Sequence, residues 1–189
     1  FATGLALGTC WLGASFSRSS FAQRINAAAD EVIPAVTSLG EIANRDGARN
    51  SPARQQMNAD QRLLFEQLFF NRSFDTPLRQ EEAEPYALPL QMLRIGPSAS
   101  NKQPWRVIRD DGTWHFYLRR TQGYQENMQV RVPGMADIQR LDMGSAMCHF
   151  ELTARELGLA GQWRDAAPGI AKPDELTEYV ISWEEKSNR

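Results

Sequence analysis

The sequence predicts an α+β fold in which an antiparallel or mixed sheet is flanked by helices, and three patterns carry this prediction. Two β-rich runs, 105–109 and 113–118, flank an Asp-Gly step, which is a strong short-range hairpin signal. Apolar residues recur at helical spacing over 135–157, and Gly158 follows them in the position of a helix stop. A late run over 178–183 is rich in β-branched and aromatic residues and supplies a further strand.

The first part of the chain contains shorter elements and ends in a polar segment. A helix capped by Ser17 or Ser19 is expected to run to Ile25, and a β-branched run over 30–38 is expected to form a strand. Residues 41–57 are polar, with Gly, Asn, Ser, Pro and Arg, which is the composition of a linker.

Two more helices are expected between this linker and the hairpin. Asn58 is a plausible N-cap for a helix over 58–70, and apolar residues also fit a helix over 80–95. The linker therefore predicts two segments, 1–57 and 58–189.

The composition limits the classes of partner. The net charge of −2 comes from 21 basic and 23 acidic residues that are interspersed, so neither nucleic acid nor a membrane surface is an expected partner. Cys10 and Cys148 both lie in apolar stretches, which predicts two buried thiols in a reducing, cytoplasmic setting. The apolar stretch at the start is too short and too interrupted by glycine to form a transmembrane helix.

Familiar catalytic signatures are absent from the sequence. It has no phosphate-binding P-loop, no dinucleotide-binding glycine motif, no zinc-protease motif and no serine nucleophile elbow. Cys148 and His149 are neighbours on the predicted long helix, so they point in different directions and make a poor metal pair. His115 lies in a predicted strand, and both histidines are interpreted as structural.

A short repeat suggests that the chain holds parts of two similar halves. The pattern Leu-x-Leu-x-x-x-Trp occurs at 5–11 and again at 157–163, each time at the end of an apolar helical stretch. We interpret residues 1–40 as the C-terminal part of one half and residues 58–189 as a second, more complete half. The first residues resemble the C-terminal end of a helix whose beginning lies upstream. We therefore expect an upstream segment of the same protein to complete the first half.

The segment from Pro97 to Trp105 concentrates polar donors between a helix and the first strand of the hairpin. It carries two serine hydroxyls, two side-chain amides and one ammonium group in a stretch that prolines stiffen at both ends. Such a turn can present donors to a polar, flat or phosphorylated ligand. Alternatively, it is a capping turn whose side chains satisfy local backbone groups.

This segment also carries a family resemblance. Residues 96–105, Gly-Pro-Ser-Ala-Ser-Asn-Lys-Gln-Pro-Trp, strongly resemble the A-P-S-x-x-N-x-Q-P-W segment of nitroreductase-like flavoproteins, and residues 7–13 resemble their G-L-G-T-C-W-x-G segment. The two segments occur here in reversed order, as in a branch whose single chain holds two fused halves. With residues 69–78 and 142–150 included, the resemblance extends over nearly all of 4–185.

The resemblance implies a bound FMN shared by two pseudo-symmetric halves. It implies that backbone N–H groups of one loop face N5 and O4 of the isoalloxazine ring, a role that falls on Trp11, Leu12, Gly13 and Ala14. It assigns the ribityl–phosphate side and ring edge to Pro97, Ser98, Ser100, Asn101 and Gln103. The family usually binds the FMN phosphate with an Arg-x-Ser-x-Arg motif. This sequence matches that motif only in part, at Arg72-Ser73. Arg45 is therefore the best remaining phosphate partner, or else a solvated arginine of the linker.

The function implied by the resemblance is two-electron transfer from NAD(P)H through FMN to a small acceptor such as a nitroaromatic or a quinone. Within the superfamily, reductive dehalogenation and flavin destruction are alternatives. A non-catalytic flavin-binding or protein-interaction module is a further alternative from another class. A bound yellow chromophore with reducible absorbance would distinguish the enzymes from the last of these.

Overall fold

The structure is a computed structural model that describes residues 2–13, 16–131 and 135–186. Its contacts define two compact units, one of residues 1–59 with 123–138 and the other of 60–122 with 139–189. The assignment of 1–57 and 58–189 to two nitroreductase-like halves stays a prediction. In chain order the helices and strands are β1 (Gly8–Leu12), α1 (Arg18–Ile25), β2 (Val36–Gly40), α2 (Arg45–Arg49), α3 (Pro52–Gln56), α4 (Phe65–Leu68), β3 (Phe69–Asn71), α5 (Ala87–Ile95), β4 (Trp105–Asp110), β5 (Thr113–Arg119), α6 (Tyr124–Arg131), α7 (Ile138–Glu156), β6 (Gly161–Arg164) and β7 (Thr177–Glu185).

The second unit is built on a five-stranded mixed sheet. Its strand order is β3-β4-β5-β7-β6, and only the β3–β4 pair is parallel. The β4–β5 hairpin forms as expected, with Asp110 opposite Thr113. Asp111 and Gly112 both have positive φ angles, of 39° and 75°, which is the backbone that an Asp-Gly hairpin turn requires. The predicted α+β class is thus confirmed.

One face of this sheet packs against helices α5 and α7 to form the core. The sheet contributes large buried side chains, and the helices contribute aliphatic and aromatic ones that fill the spaces between them. They include Trp105, Val107, Trp114, Phe116, Leu118 and Trp183 from the sheet, Leu90 and Leu93 from α5, and Met143, Ala146 and Phe150 from α7. This packing gives the connection between α5 and β4 a rigid base on both sides.

The opposite face of the sheet holds a buried polar group. His115 Nδ1 lies 2.7 Å from Ser182 Oγ, which in turn lies 2.9 Å from the Tyr179 hydroxyl. Burial lowers the pKa of His115, which favours the neutral ring, although the charge of Asp110 acts in the opposite direction. His115 therefore has a structural hydrogen-bonding role, and no group of metal-ligating side chains is found in the described part of the chain.

The first unit contains a two-stranded antiparallel ribbon, β1–β2, with Trp11 opposite Thr37. Its helix α1 begins after Ser17 as expected. The strand expected over 30–38 begins only at Val36. The earlier residues form a turn, because Glu31 N–H donates to the Ala28 carbonyl and the Glu31 carboxylate accepts from the Ala28 N–H.

The prediction of a helix over 58–70 is wrong for most of that range. Only Phe65–Leu68 is helical, and Phe69 then pairs with Val107 in the sheet. Residues 61–64 are not helical. The Gln61 carbonyl and the Leu63 N–H bond to side chains of a distant loop, described below, which outweighs the helical spacing of the leucines. The helix expected over 80–95 is interrupted at Pro85, where a 3-10 turn ends before α5 begins.

The prediction of two buried thiols is also wrong. Cys10 lies on the ribbon of the first unit and Cys148 on α7, and both are exposed. Cys148 lies on the solvent-facing stripe of its helix. Thr9, Cys10 and Trp11 are all exposed on the ribbon, so the apolar sequence around Cys10 does not bury it. In the described ranges, no helix is both long and apolar enough to cross a bilayer.

Candidate functional site

The loop of residues 97–103 joins α5 to β4 and has a costly backbone conformation. Ser100, Asn101 and Gln103 have φ angles of 48°, 52° and 48°. Left-handed backbone costs an L-residue about 1–2 kcal/mol, although asparagine tolerates it better than most. Three such residues among four persist only where surrounding contacts hold them.

The first of these contacts come from within the loop and from helix α7. Ser98 Oγ accepts a hydrogen bond of 2.9 Å from the Gln103 backbone N–H, which closes the loop on itself. Asp142 Oδ1 accepts one of 2.9 Å from the Ala99 N–H. The loop is thus anchored to the long helix α7.

The two side-chain amides tie the loop to the non-helical segment before α4. Gln103 is buried, and its Oε1 accepts from the Leu63 N–H at 2.9 Å. Gln103 Nε2 donates to the Asn101 carbonyl at 3.2 Å and is 3.4 Å from the Gln61 carbonyl. Asn101 Nδ2 donates to that same Gln61 carbonyl at 3.0 Å. These bonds satisfy the Gln61 carbonyl and the Leu63 N–H, which the helix expected over 58–70 would have paired within itself.

Arg62 joins the loop to the end of helix α5. Its Nη1 donates to Asn101 Oδ1 at 3.2 Å, and its Nε and Nη2 donate to the Ile95 carbonyl at 3.3 and 3.2 Å. A cation at a helix C-terminus is favourable because the last carbonyls carry partial negative charge. Arg62 therefore fixes the orientation of the Asn101 amide while it caps α5.

Arg106 holds the other end of the loop. Its Nη1 donates to the carbonyls of Gln103 and Trp105, at 3.0 and 2.6 Å. Burial, and secondly the nearby charge of Arg119, lower the pKa of Arg106 to about 10. The guanidinium remains charged at neutral pH.

The predicted residues of the first unit lie at and after the end of β1. Trp11 and Leu12 are the last residues of that strand, and Gly13 follows them. A Cβ at Gly13 would lie 1.9 Å from Ile138 Cδ1, so this position has no room for a side chain unless Ile138 moves. Ala14 lies outside the described residues. Arg45 is the first residue of α2 and is exposed.

Arg72, part of the partial phosphate motif, follows β3 with a left-handed backbone. Its N–H donates to the Arg109 carbonyl, and its guanidinium lies 3.9 Å from Asp111. Both charged side chains are largely exposed, so this pair contributes little stability.

Sequence reasoning identified the contiguous loop but missed the residues that hold it. Within the second unit, the structure brings Ser98, Asn101 and Gln103 together, with Pro97 and Ser100 in the same loop. Trp11, Leu12 and Gly13 form a separate group in the first unit. The missed residues are Gln61, Arg62, Arg106 and Asp142. Gln61 and Arg62 come from the segment that was wrongly predicted to be helical.

Comparisons with known proteins agree with this fold. A family described as "Putative TM nitroreductase" matches residues 1–154. A crystal structure from Thermotoga maritima, described as that of a "putative nitroreductase", superposes with a TM-score of 0.55 at 19% sequence identity. The match covers 96% of this chain but 57% of that one, so the chain spans little more than half of that protein. No curated protein matches. The family match covers most of the chain, including both motif segments, and the chain belongs to this nitroreductase family.

Proposed function

We propose that this chain is part of an FMN-dependent NAD(P)H oxidoreductase of nitroreductase type, with a small acceptor such as a nitroaromatic or a quinone. The family match over residues 1–154 carries the proposal, since it includes both segments that the resemblance assigns to the cofactor. Bound FMN would supply the two-electron chemistry, and the protein would supply binding and orientation.

The 97–103 loop fits a polar cofactor through its backbone and hydroxyls. Ser98 and Ser100 are partly buried, and the left-handed residues turn the main chain sharply within four positions. Asn101 and Gln103 bond to Gln61 and Leu63, which makes them rigid supports of the loop surface. We propose that Pro97, Ser98 and Ser100 contact the cofactor, and that the two amides contact it from fixed positions.

In the first unit, we propose that the backbone after Trp11 serves the flavin ring. Gly13 fits this role, because Ile138 packs where a side chain would stand and so holds the turn in place. Leu12 and Ala14 complete the proposed loop. A fixed N–H donor at this point would stabilise charge that develops on a reduced ring.

We propose Arg45 as a phosphate partner. Its guanidinium is an exposed cation at the first residue of α2. An upstream Arg/Ser-bearing helix of the same protein would add further phosphate contacts. The longer protein should then bind FMN more tightly than the 189-residue chain, because each charge-assisted bond contributes about 1.5–3 kcal/mol.

The test is a flavin fluorescence titration with FMN and, in parallel, with riboflavin, which lacks the phosphate. Arg45→Ala should weaken FMN binding by about tenfold, near 1.4 kcal/mol, and leave riboflavin binding unchanged. Arg24→Ala, an exposed arginine at the end of α1, is the matched control. Reduction of bound FMN by NADH or NADPH, followed by nitroaromatic or quinone turnover, tests the activity.

Absence of saturable FMN binding by both the 189-residue chain and the longer protein would refute the proposal. In that case the loop amides would have only their intramolecular role, as in a non-catalytic module. Binding without reduction by either nicotinamide would support flavin binding but not the oxidoreductase activity.

A further inference from the structure

Three tryptophans of the second unit form a row across three adjacent strands. Trp114 of β5 lies directly opposite Trp183 of β7, and Trp183 lies directly opposite Trp163 of β6. Directly opposed residues point to the same face of a sheet, which here is the face that packs against α5 and α7. Trp114 and Trp183 are fully buried, whereas Trp163 is partly exposed. We call these three residues the tryptophan row.

The rings of the row lie close together. The centroids of Trp163 and Trp183 are 5.0 Å apart in an edge-to-face arrangement. Phe150 of α7 packs beside all three indoles, with its centroid 5.9 Å from Trp183 and 6.2 Å from both Trp114 and Trp163. Electron tunnelling weakens steeply with distance, so rings this close exchange an electron far faster than rings that are separated. A missing electron, or hole, at one indole can therefore move along the row.

The indole N–H groups at both ends of the row donate to carboxylates. Trp114 Nε1 donates to Glu185 Oε1 at 2.9 Å, and Trp163 Nε1 donates to Glu151 Oε2 at 2.9 Å. The other oxygen of Glu151 forms an ion pair with Arg155, which holds the carboxylate in place. An indole that loses an electron becomes a strong acid, so a carboxylate bonded to its N–H can take the proton and leave a neutral radical.

Two of the three indoles are less suited to keep a hole than Trp163. Trp183 Nε1 donates to the Tyr86 hydroxyl at 3.3 Å, and a neutral phenol oxygen does not take up a proton at neutral pH. Trp114 has the Arg109 guanidinium over its ring, 5.6 Å from the centroid, and this cation opposes a positive charge on the ring. The electrostatics therefore favour movement of the hole towards Trp163.

Trp105 is a buried indole of the same unit that lies outside the row. It is fully buried, and its Nε1 has no hydrogen-bond partner among the described residues. A hole on Trp105 would leave the indole proton without an acceptor. A hydrogen-bond partner is usual for a buried indole, but carboxylates at both ends of a row of neighbouring indoles form a more specific arrangement.

We propose that the tryptophan row is a hole-transfer pathway that carries one-electron oxidation of the core to Trp163, where a soluble reductant repairs it. A one-electron oxidant, such as an oxygen- or nitrogen-centred radical, takes an electron from one indole and is itself reduced. The hole moves to Trp163, the Nε1 proton passes to Glu151, and a neutral indolyl radical remains. A one-electron reductant such as ascorbate then returns the electron and is itself oxidised, while Glu151 returns the proton. This protective activity does not rest on flavin binding.

The test uses ultraviolet photoionisation of the 189-residue chain, which removes electrons from exposed and buried indoles alike. Dissolved oxygen takes up the ejected electron and converts indolyl radicals into stable products, which peptide mass spectrometry locates. All samples carry Trp11→Phe, because that exposed indole of the first unit would otherwise add its own products. Product at Trp163 should exceed the combined product at Trp114 and Trp183 severalfold, and ascorbate should suppress it. Equal yields at the three indoles would overturn the proposal.

Two substitutions distinguish transfer along the row from the greater exposure of Trp163. Trp183→Phe removes the middle indole, so product at Trp163 should fall severalfold and product at Trp114 should rise. Trp105→Phe removes a fully buried indole outside the row and should leave the ratio of these two products unchanged. The same ratio in the Trp183→Phe and Trp105→Phe variants would overturn the proposal.

Replacement of Glu151 tests the proton step with every ring of the row in place. Glu151→Gln keeps an oxygen acceptor but removes the charge, so product at Trp163 should fall severalfold. Glu156→Gln, at an exposed glutamate that ends α7, is the matched control and should leave the yield unchanged. Circular dichroism checks the fold of each variant, and the two glutamine variants decide the outcome if Trp183→Phe does not fold. Equal yields at Trp163 in these two variants would overturn the proposal.

Discussion

Replacement of Asn101 distinguishes its role in loop shape from a role in cofactor contact. Asn101→Ala removes the bond to the Gln61 carbonyl and the acceptor for Arg62. The first of these bonds is exposed and the second is partly buried, and a hydrogen bond contributes about 0.5–1.5 kcal/mol. Alanine at a φ of 52° adds about 1 kcal/mol of left-handed backbone cost that asparagine tolerates better. The expected loss of stability is therefore about 2–4 kcal/mol.

Asn101→Gly is the matched variant, because glycine loses the same bonds but accepts the left-handed backbone. It should recover about 1 kcal/mol of the loss, which corresponds to a Tm roughly 2–4 °C above that of the alanine variant. Thermal unfolding followed by circular dichroism measures both. Equal Tm values for the two variants would refute the backbone argument, and a wild-type Tm in both would refute the bonding argument. A wild-type Tm with lost FMN content would indicate a direct cofactor contact and no structural role.

Four further substitutions test the packing within the two units. Gly161→Ala places a Cβ about 2.3 Å from the Trp183 indole ring, so it should cost about 1–3 kcal/mol in thermal unfolding, and an unaffected Tm would contradict this. Tyr117→Phe should be neutral or stabilising, because the buried hydroxyl has no hydrogen-bond partner among the described residues. Burial raises the pKa of Tyr117 to about 12, so the wild type should lose stability from pH 10 towards 12 and the phenylalanine variant should lose less. Gly13→Val should destabilise the first unit through Ile138, and Ile138→Ala should reduce that loss in a double-mutant cycle.

Local signals in the sequence predicted the hairpin and the long helix well. The Asp-Gly turn is specified by two adjacent residues, and α7 by a long apolar periodicity, so neither depends on distant partners. Strands β1 and β6 were not predicted. Each has a glycine at its start and only four or five residues, which leaves too little alternation to recognise.

The failed helix over 58–64 has a non-local cause. Its leucine spacing is helical, but the Leu63 N–H and the Gln61 carbonyl bond to side chains of a loop some forty residues later. No pattern within a helical window contains that information. For the same reason, the loop residues were identified as a motif, whereas Arg62, which orients Asn101, was not identified at all.

The bonds of Asn101 and Gln103 to the 61–63 segment give these motif residues a structural role. If Asn101 and Gln103 were only ligands, the loop would keep its bonds to Ser98, Asp142 and Arg106. Its left-handed backbone would lose the amide bonds that tie it to the 61–63 segment. The same side chains therefore have to serve the fold even where they also touch a cofactor. Preorganised loops of this kind lose little entropy when a ligand binds, because the rigidity is established on folding. The motif thus specifies a shape as well as a set of contacts. Comparison of the alanine and glycine variants at Asn101 separates the cost of the left-handed backbone from the loss of the amide bonds.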